Sequence, residues 1–180
     1  MKAAKFAFGW LAVVALCAPA FSQETKKKDE PKKAEWVKIV EKAKYEVEFP
    51  SKPKEMGPDG AKQYILETEG GKAAFLSQYN AFPKSIDLTD EKLLAAIFEN
   101  AAKGLEKAFK GSKVVADKAS KFGKFPQKDV DLEVPELGLY RTRWILTTEG
   151  FYQLTVLGPK DYVNGADATK FFKTFKLKDD

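Results

Sequence analysis

The chain has 180 residues, 44% of them hydrophobic, 32% charged and 13% aromatic, the composition of one ordinary globular domain. It carries no histidine, a single cysteine (Cys17) and a formal net charge of +5. These counts exclude an internal disulfide, the usual Ser-His and Cys-His catalytic arrangements and the common histidine- and cysteine-based zinc sites.

The first stretch, "MKAAKFAFGWLAVVALCAPAFSQ", has Lys2 and Lys5 at its start, an apolar run from Phe6 to Cys17, and the small-x-small sequence Ala18-Pro19-Ala20. That is the pattern of a secretory signal peptide over residues 1–22, with cleavage after Ala20 or Ser22. The run is shorter than the ~20 residues a membrane-spanning helix needs, so no transmembrane segment is expected once the signal is removed. Lipoprotein signals place a small residue before their cysteine. Bulky Leu16 stands there instead, so lipidation at Cys17 is disfavoured. The expected location is secreted or periplasmic.

Residues 23–34 follow. Their "QETKKKDEPKK" has no apolar side chain to offset the entropy of ordering, and reads as a charged, disordered linker. Residues 35–178 read as a single α+β domain. "EWVKIVEKAKYEVEFP" gives two short strands, with Val37 and Ile39 alternating in the first and Tyr45, Val47 and Phe49 in the second. Pro50 and Pro53 stop the second strand, and "MGPDG" at 56–60 is turn chemistry. "AKQYILETE" and "KAAFLSQYNAF" form a hairpin through Gly70-Gly71, which adopt positive φ cheaply.

A long helix is expected from about Asp90 to Lys110. Leu94, Ile97, Ala101, Leu105 and Ala108 recur at three- and four-residue spacing as one buried stripe. Thr89 is the expected N-cap, Asp90 and Glu91 suit the positive end of the helix dipole, and Gly111 suits the position just past the end. Four strands come next: "SKVVADKAS", "DVDLEV", and a hairpin of "YRTRWILTT" with "FYQLTVLG" around Glu149-Gly150. A three-residue loop there would put Trp144 and Leu146 on the face of Leu154 and Val156, and that register is preferred. A short helix from Ala166 to Phe175 sets Ala168, Phe171 and Phe175 on one side.

Strands in neighbouring runs with segregated helices imply an antiparallel sheet with helical cover. In this order the chain resembles the PsbP-like superfamily, in particular its small secreted bacterial members of uncharacterised role. The likeness spans about residues 36 to 177. It is carried by Trp36, "YEVEFPSKP" and "AFLSQYNAF", and at the end by "FYQLTVLGP" and "ATKFFKTFKL". The resemblance implies a central antiparallel sheet with helices on its faces, and non-catalytic work. Relatives include extrinsic subunits of photosynthetic complexes and a nuclear-transport factor that binds a small GTPase. It carries over no site residue.

Candidate chemistry is sparse. Serines beside lysines (Ser51, Ser85, Ser112, Ser120) are expected by chance in so lysine-rich a chain, and no nucleophile elbow or Ser-x-x-Lys motif is present. "EGGK" at 69–72 lacks phosphate-loop spacing. No enzyme and no cofactor are expected. Asp129, Asp131 and Glu133 share one face of a strand about 7 Å apart, a spacing that could share Ca²⁺, although a solvated strand face explains it too. Lys103, Lys107, Lys110, Lys113, Lys118 and Lys121 form the most unusual feature, a basic stretch suited to an acidic envelope protein or another anionic surface. Nucleic acid is not an expected partner: the chain reads as secreted, and arginine occurs only as Arg141 and Arg143. Those two arginines face away from Trp144 and are expected to pair with acids on a neighbouring strand. The aromatic rings of the last strand and helix belong to the core, with Tyr162 and Phe172 left as candidates for a groove edge. The sequence therefore predicts a secreted or periplasmic binding module acting through protein–protein contact in the envelope. The alternative is a protein that binds a small ligand or Ca²⁺.

Overall fold

The computed structural model describes residues 35–178 apart from 42, 43, 59, 60 and 72. The expected signal peptide, Cys17 and the linker lie outside the described residues. In chain order the elements are β1 (Val37–Glu41), β2 (Tyr45–Phe49), β3 (Lys54–Met56), β4 (Gln63–Glu67), β5 (Ala74–Ala81), α1 (Glu91–Ala108), β6 (Lys113–Phe122), β7 (Phe125–Val134), β8 (Gly138–Leu146), β9 (Gly150–Gly158), α2 (Lys160–Val163), α3 (Ala166–Thr174) and β10 (Lys176–Leu177). Two antiparallel sheets result. One has seven strands in the order β3-β4-β5-β9-β8-β7-β6, and the other three in the order β1-β2-β10. The fold is α+β, as the sequence predicts.

The large sheet buries both faces, and different elements cover each. On one face Val130, Leu132 and Val134 of β7 join Tyr140 and Trp144 of β8 beneath α1, which contributes Leu105 and the adjacent Phe109, with Phe98, Ala101 and Ala102 at the margin. On the other face Phe75, Tyr79, Ile145, Tyr152, Leu154 and Val156 lie under the small sheet and the C-terminal helices. Tyr45, Val47 and Phe49 supply the small sheet's share, and Val163, Ala168, Phe171 and Phe175 the helices'. Each such apolar side chain removed from water contributes roughly 1.5–3 kcal/mol, so the two interfaces together hold the sandwich.

The local signals resolve with four corrections. Ala108, expected in the buried stripe of α1, is exposed, because Phe109 takes the buried position beside Leu105. The helix caps on Asp90, whose side chain accepts from the Leu93 amide at 3.0 Å, and not on Thr89. Thr89 is occupied one turn earlier, where its amide and hydroxyl both donate to Asp87 Oδ1 at 2.8 and 2.7 Å. The β8–β9 register also differs from the expected one. Trp144 stands opposite Gln153 and Leu146 opposite Phe151, so Trp144 shares a face with Phe151 and not with Leu154. The loop is shorter by a residue: the Thr147 amide donates to the Gly150 carbonyl at 2.9 Å and the Thr147 hydroxyl accepts from the Gly150 amide at 3.1 Å, closing the turn over Thr148 and Glu149. Finally, β3, α2 and β10 have no counterpart in the sequence reading. The Gly70-Gly71 turn is as expected, with φ of 78° and 64°.

Candidate interaction surface

β6 is the outermost strand of the large sheet and, among the described residues, pairs only with β7. Its sequence, KVVADKASKF, carries its valines at the start, and from Ala116 to Lys121 it holds only small or charged side chains. Every residue from Lys113 to Lys121 is exposed, with Val114 at 42% and Val115 at 46%. A shift in register between Val114 and Ala116 marks a bulge, beyond which Ala116 to Phe122 pairs regularly. The opposite edge of the same sheet, β3, is three residues long. The ten residues of β6 therefore leave a much longer row of outward backbone N–H and C=O groups.

The register divides the six predicted lysines. Lys113 and Lys118 stand opposite Glu133 and Asp129, on the sheet face away from α1, while Lys121 stands opposite Pro126 on the α1 side. Lys103 and Lys107 project from the exposed side of α1, with Lys110 just past its end. Lys103 is held by Glu99 at 2.6 Å. The acids that face β6 are committed elsewhere: Asp129 to Arg143 Nε at 2.7 Å, and Glu133 to Lys160 Nζ at 2.5 Å. No ion pair holds Lys113, Lys118 or Lys121 among the described residues, whereas Lys128 of the neighbouring strand pairs with Asp117 at 2.9 Å.

Those same pairs answer the Ca²⁺ reading. Asp129, Asp131 and Glu133 do share one face, but cations of the fold take their oxygens. Arg141 donates to Asp131 from Nε at 3.0 Å and from Nη2 at 2.7 Å. Hydrogen bonding and charge from Lys160 hold the Glu133 carboxyl below its usual range, and the Asp131 hydrogen bond raises Arg141 further. Among the described residues no group of three or more acidic, histidine or cysteine side chains is placed to hold a metal ion. Arg141 continues to the Val163 carbonyl at 3.2 Å and Asn164 Oδ1 at 3.0 Å, and Arg143 lies 5.4 Å from the Phe172 ring centre. The arginines thus face away from Trp144 and pair across the strand, as expected, and they tie the sheet to α2 and α3.

Tyr162 and Phe172 are half-buried at the margin of the core. Tyr162 meets Phe75 edge-on at 5.9 Å, Phe172 meets Phe171 at 5.6 Å, and burial raises the Tyr162 hydroxyl pKa. Neither ring lines the two clefts that follow. One, of about 360 Å³, lies between the β6–β7 turn and β10, against Phe122, Phe125 and Leu177. The larger, of about 510 Å³, is assembled from Glu41, Lys44, Lys62, the end of β5, residues 82–85 and Glu149. Its floor holds a buried carboxylate: Glu41, 5% exposed, accepts from the Tyr64 hydroxyl at 2.6 Å. Lys44 pairs with Glu149 across it at 2.5 Å. Its residues come from several distant segments, so no local motif announces it.

No family model and no curated protein matches this chain. Among solved structures, the cyanobacterial PsbP protein (CyanoP) of Synechocystis sp. PCC 6803 superposes with a TM-score of 0.55 at 10% identity, over 84% of this chain and 98% of that one. The Ran-binding protein Mog1p of Saccharomyces cerevisiae gives 0.46 at 11% identity, over 80% and 96%. A Pseudomonas aeruginosa protein of unknown function gives 0.46 at 12%, over 74% and 90%. The first of these establishes a PsbP-like fold for the chain.

Proposed function

We propose that the chain is a non-catalytic binding module, secreted or periplasmic, that contacts an acidic envelope protein through β6 and the lysines around it. The observation that carries this reading is charge without compensation. Lys118 and Lys121 line an open strand edge with no ion pair among the described residues: the acid opposite Lys118 is committed to Arg143, and Lys121 stands opposite Pro126, while Lys113 shares Glu133 with Lys160. A fold spends its acids on internal pairs, and the surface left behind attracts a partner of opposite sign and speeds its approach. The absence of histidine from the chain, and of cysteine beyond Cys17, agrees with work by binding. The test is covalent cross-linking in native cells followed by mass spectrometry, comparing the parent with Lys113, Lys118 and Lys121 all changed to Glu. One dominant acidic partner, lost from the variant and weakened by added salt, is the expected result. Equal recovery with the variant would remove β6 as the contact.

The larger cleft favours a second reading, a site for a small organic anion. Its volume falls within the roughly 300–1,000 Å³ of small-ligand sites, and exposed Lys84 and Ser85 stand at its rim beside Phe82 and Pro83. A melting shift with a small carboxylate or phosphate that Lys84→Ala abolishes would favour it.

A further inference from the structure

We infer that the partner is captured as an added β-strand: an extended segment with two acidic residues three apart pairs along Ala116–Phe122 of β6. The inference rests on the proposed contact surface and adds how that surface is used. Three observations carry it. The stretch beyond the bulge is seven residues of regular strand with one side unpaired, enough for a backbone ladder. Lys118 and Lys121 project to opposite faces of the sheet, Lys118 with Asp129 and Lys121 with Pro126. Residues of an added strand opposite these two lysines are three apart and also project to opposite faces, one acid to each. Between them lie Ala119 and Ser120, small side chains that leave room for β-branched neighbours.

Charge decides among the possible occupants. A second copy pairing along the same ladder about a two-fold axis at Ala119 would set Asp117 of each copy against Lys121 of the other, but Asp117 is already held by Lys128 at 2.9 Å and Lys118 would face only Ser120. The chain's own residues 23–33 carry five lysines against three acids, the same sign as the edge. Lysines and a bulge on an edge strand discourage pairing with neutral or basic strands, and they leave an acidic strand as the one admitted. Exposed ion pairs add little affinity, so the backbone ladder supplies most of the binding and the lysines the selection.

The experiment is fluorescence anisotropy on the full chain with a labelled, acetylated ten-residue peptide bearing two glutamates three apart among threonines. A second peptide has the same sequence with alternate amides N-methylated, which keeps the charge and removes the ladder. The first is expected to bind, and N-methylation to weaken it at least tenfold. Lys118→Glu with Lys121→Glu should weaken it similarly, and amide exchange in β6 should slow on binding. If the first peptide fails to bind, or both peptides bind alike, strand addition is overturned. Should both bind alike yet lose affinity with the two substitutions, the basic contact surface stands and only the strand mode falls. Binding that ignores the substitutions overturns both.

Discussion

At Gly150 there is no room for a side chain. A Cβ built on it would lie 2.4 Å from Tyr79 Cε2 and 2.7 Å from the Asn80 carbonyl. The strand β5 runs alongside, with Ala81 paired to Gly150, and Tyr79 meets Tyr152 at a tilt of 37° with ring centres 4.8 Å apart while its ring also lines the larger cleft. Gly150→Ala is therefore expected to destabilise the fold by about 1–3 kcal/mol through overpacking, read from chemical denaturation, and to shift the Tyr79 ring. Charge is as local in its consequences. Lys38 at 2.7 Å and Lys178 at 2.9 Å hold the Glu46 carboxyl at about 2, against an ordinary 4.5. Because the folded value is the lower one, this stabilisation is complete above about 4.5 and is lost as the pH falls through about 2. Melting profiles of the parent and Glu46→Gln should accordingly differ most at neutral pH and converge under acid.

Elements differ in how much of themselves they reveal before folding. The helix α1 is legible because apolar residues at helical spacing mark one side of it: Ile97 and Leu105 are buried and Leu94 and Ala101 half-buried, and only Ala108 at its end is exposed. Its cap lies one residue later than spacing suggests because Asp87 competes for Thr89, a contact that spacing does not encode. The β8–β9 register was illegible for a different reason. Leu146, Leu154 and Val156 are all buried, and in a sheet covered on both sides alternation no longer distinguishes the faces. Strands of two or three residues, such as β10 and β3, exist only through their neighbours. The clearest test at this scale is α3, whose Phe171 is fully buried and meets Phe49 at 5.1 Å and Phe75 at 5.3 Å. Phe171→Ala removes the ring that joins the helix to both sheets and should cost about 3–5 kcal/mol, with the loss visible in the thermal midpoint.

Across the whole molecule, the order of elements is enough to give an antiparallel sheet with helical cover, since neighbouring strand runs with segregated helices admit few arrangements, while the PsbP-like likeness rests on motifs such as "YEVEFPSKP" and "ATKFFKTFKL". The site was legible only in part. The lysines are visible in the sequence, but their division between two sheet faces follows from the β6–β7 register, and the edge position of β6 follows from the topology. Neither is written in any local pattern. The larger cleft, built from distant segments, left no trace at all. The account makes β6 the working surface of the molecule, and one measurement reaches that claim directly. A photo-reactive amino acid placed at exposed Ala119 of β6, at exposed Ala95 of α1, or at Ser85 on the cleft rim, would be activated in native cells and its adducts identified. The account predicts one dominant acidic protein adduct from Ala119 that disappears with Lys118→Glu and Lys121→Glu, and none of it from Ala95 or Ser85. An adduct from Ser85 or Ala95 with nothing at Ala119 would contradict it.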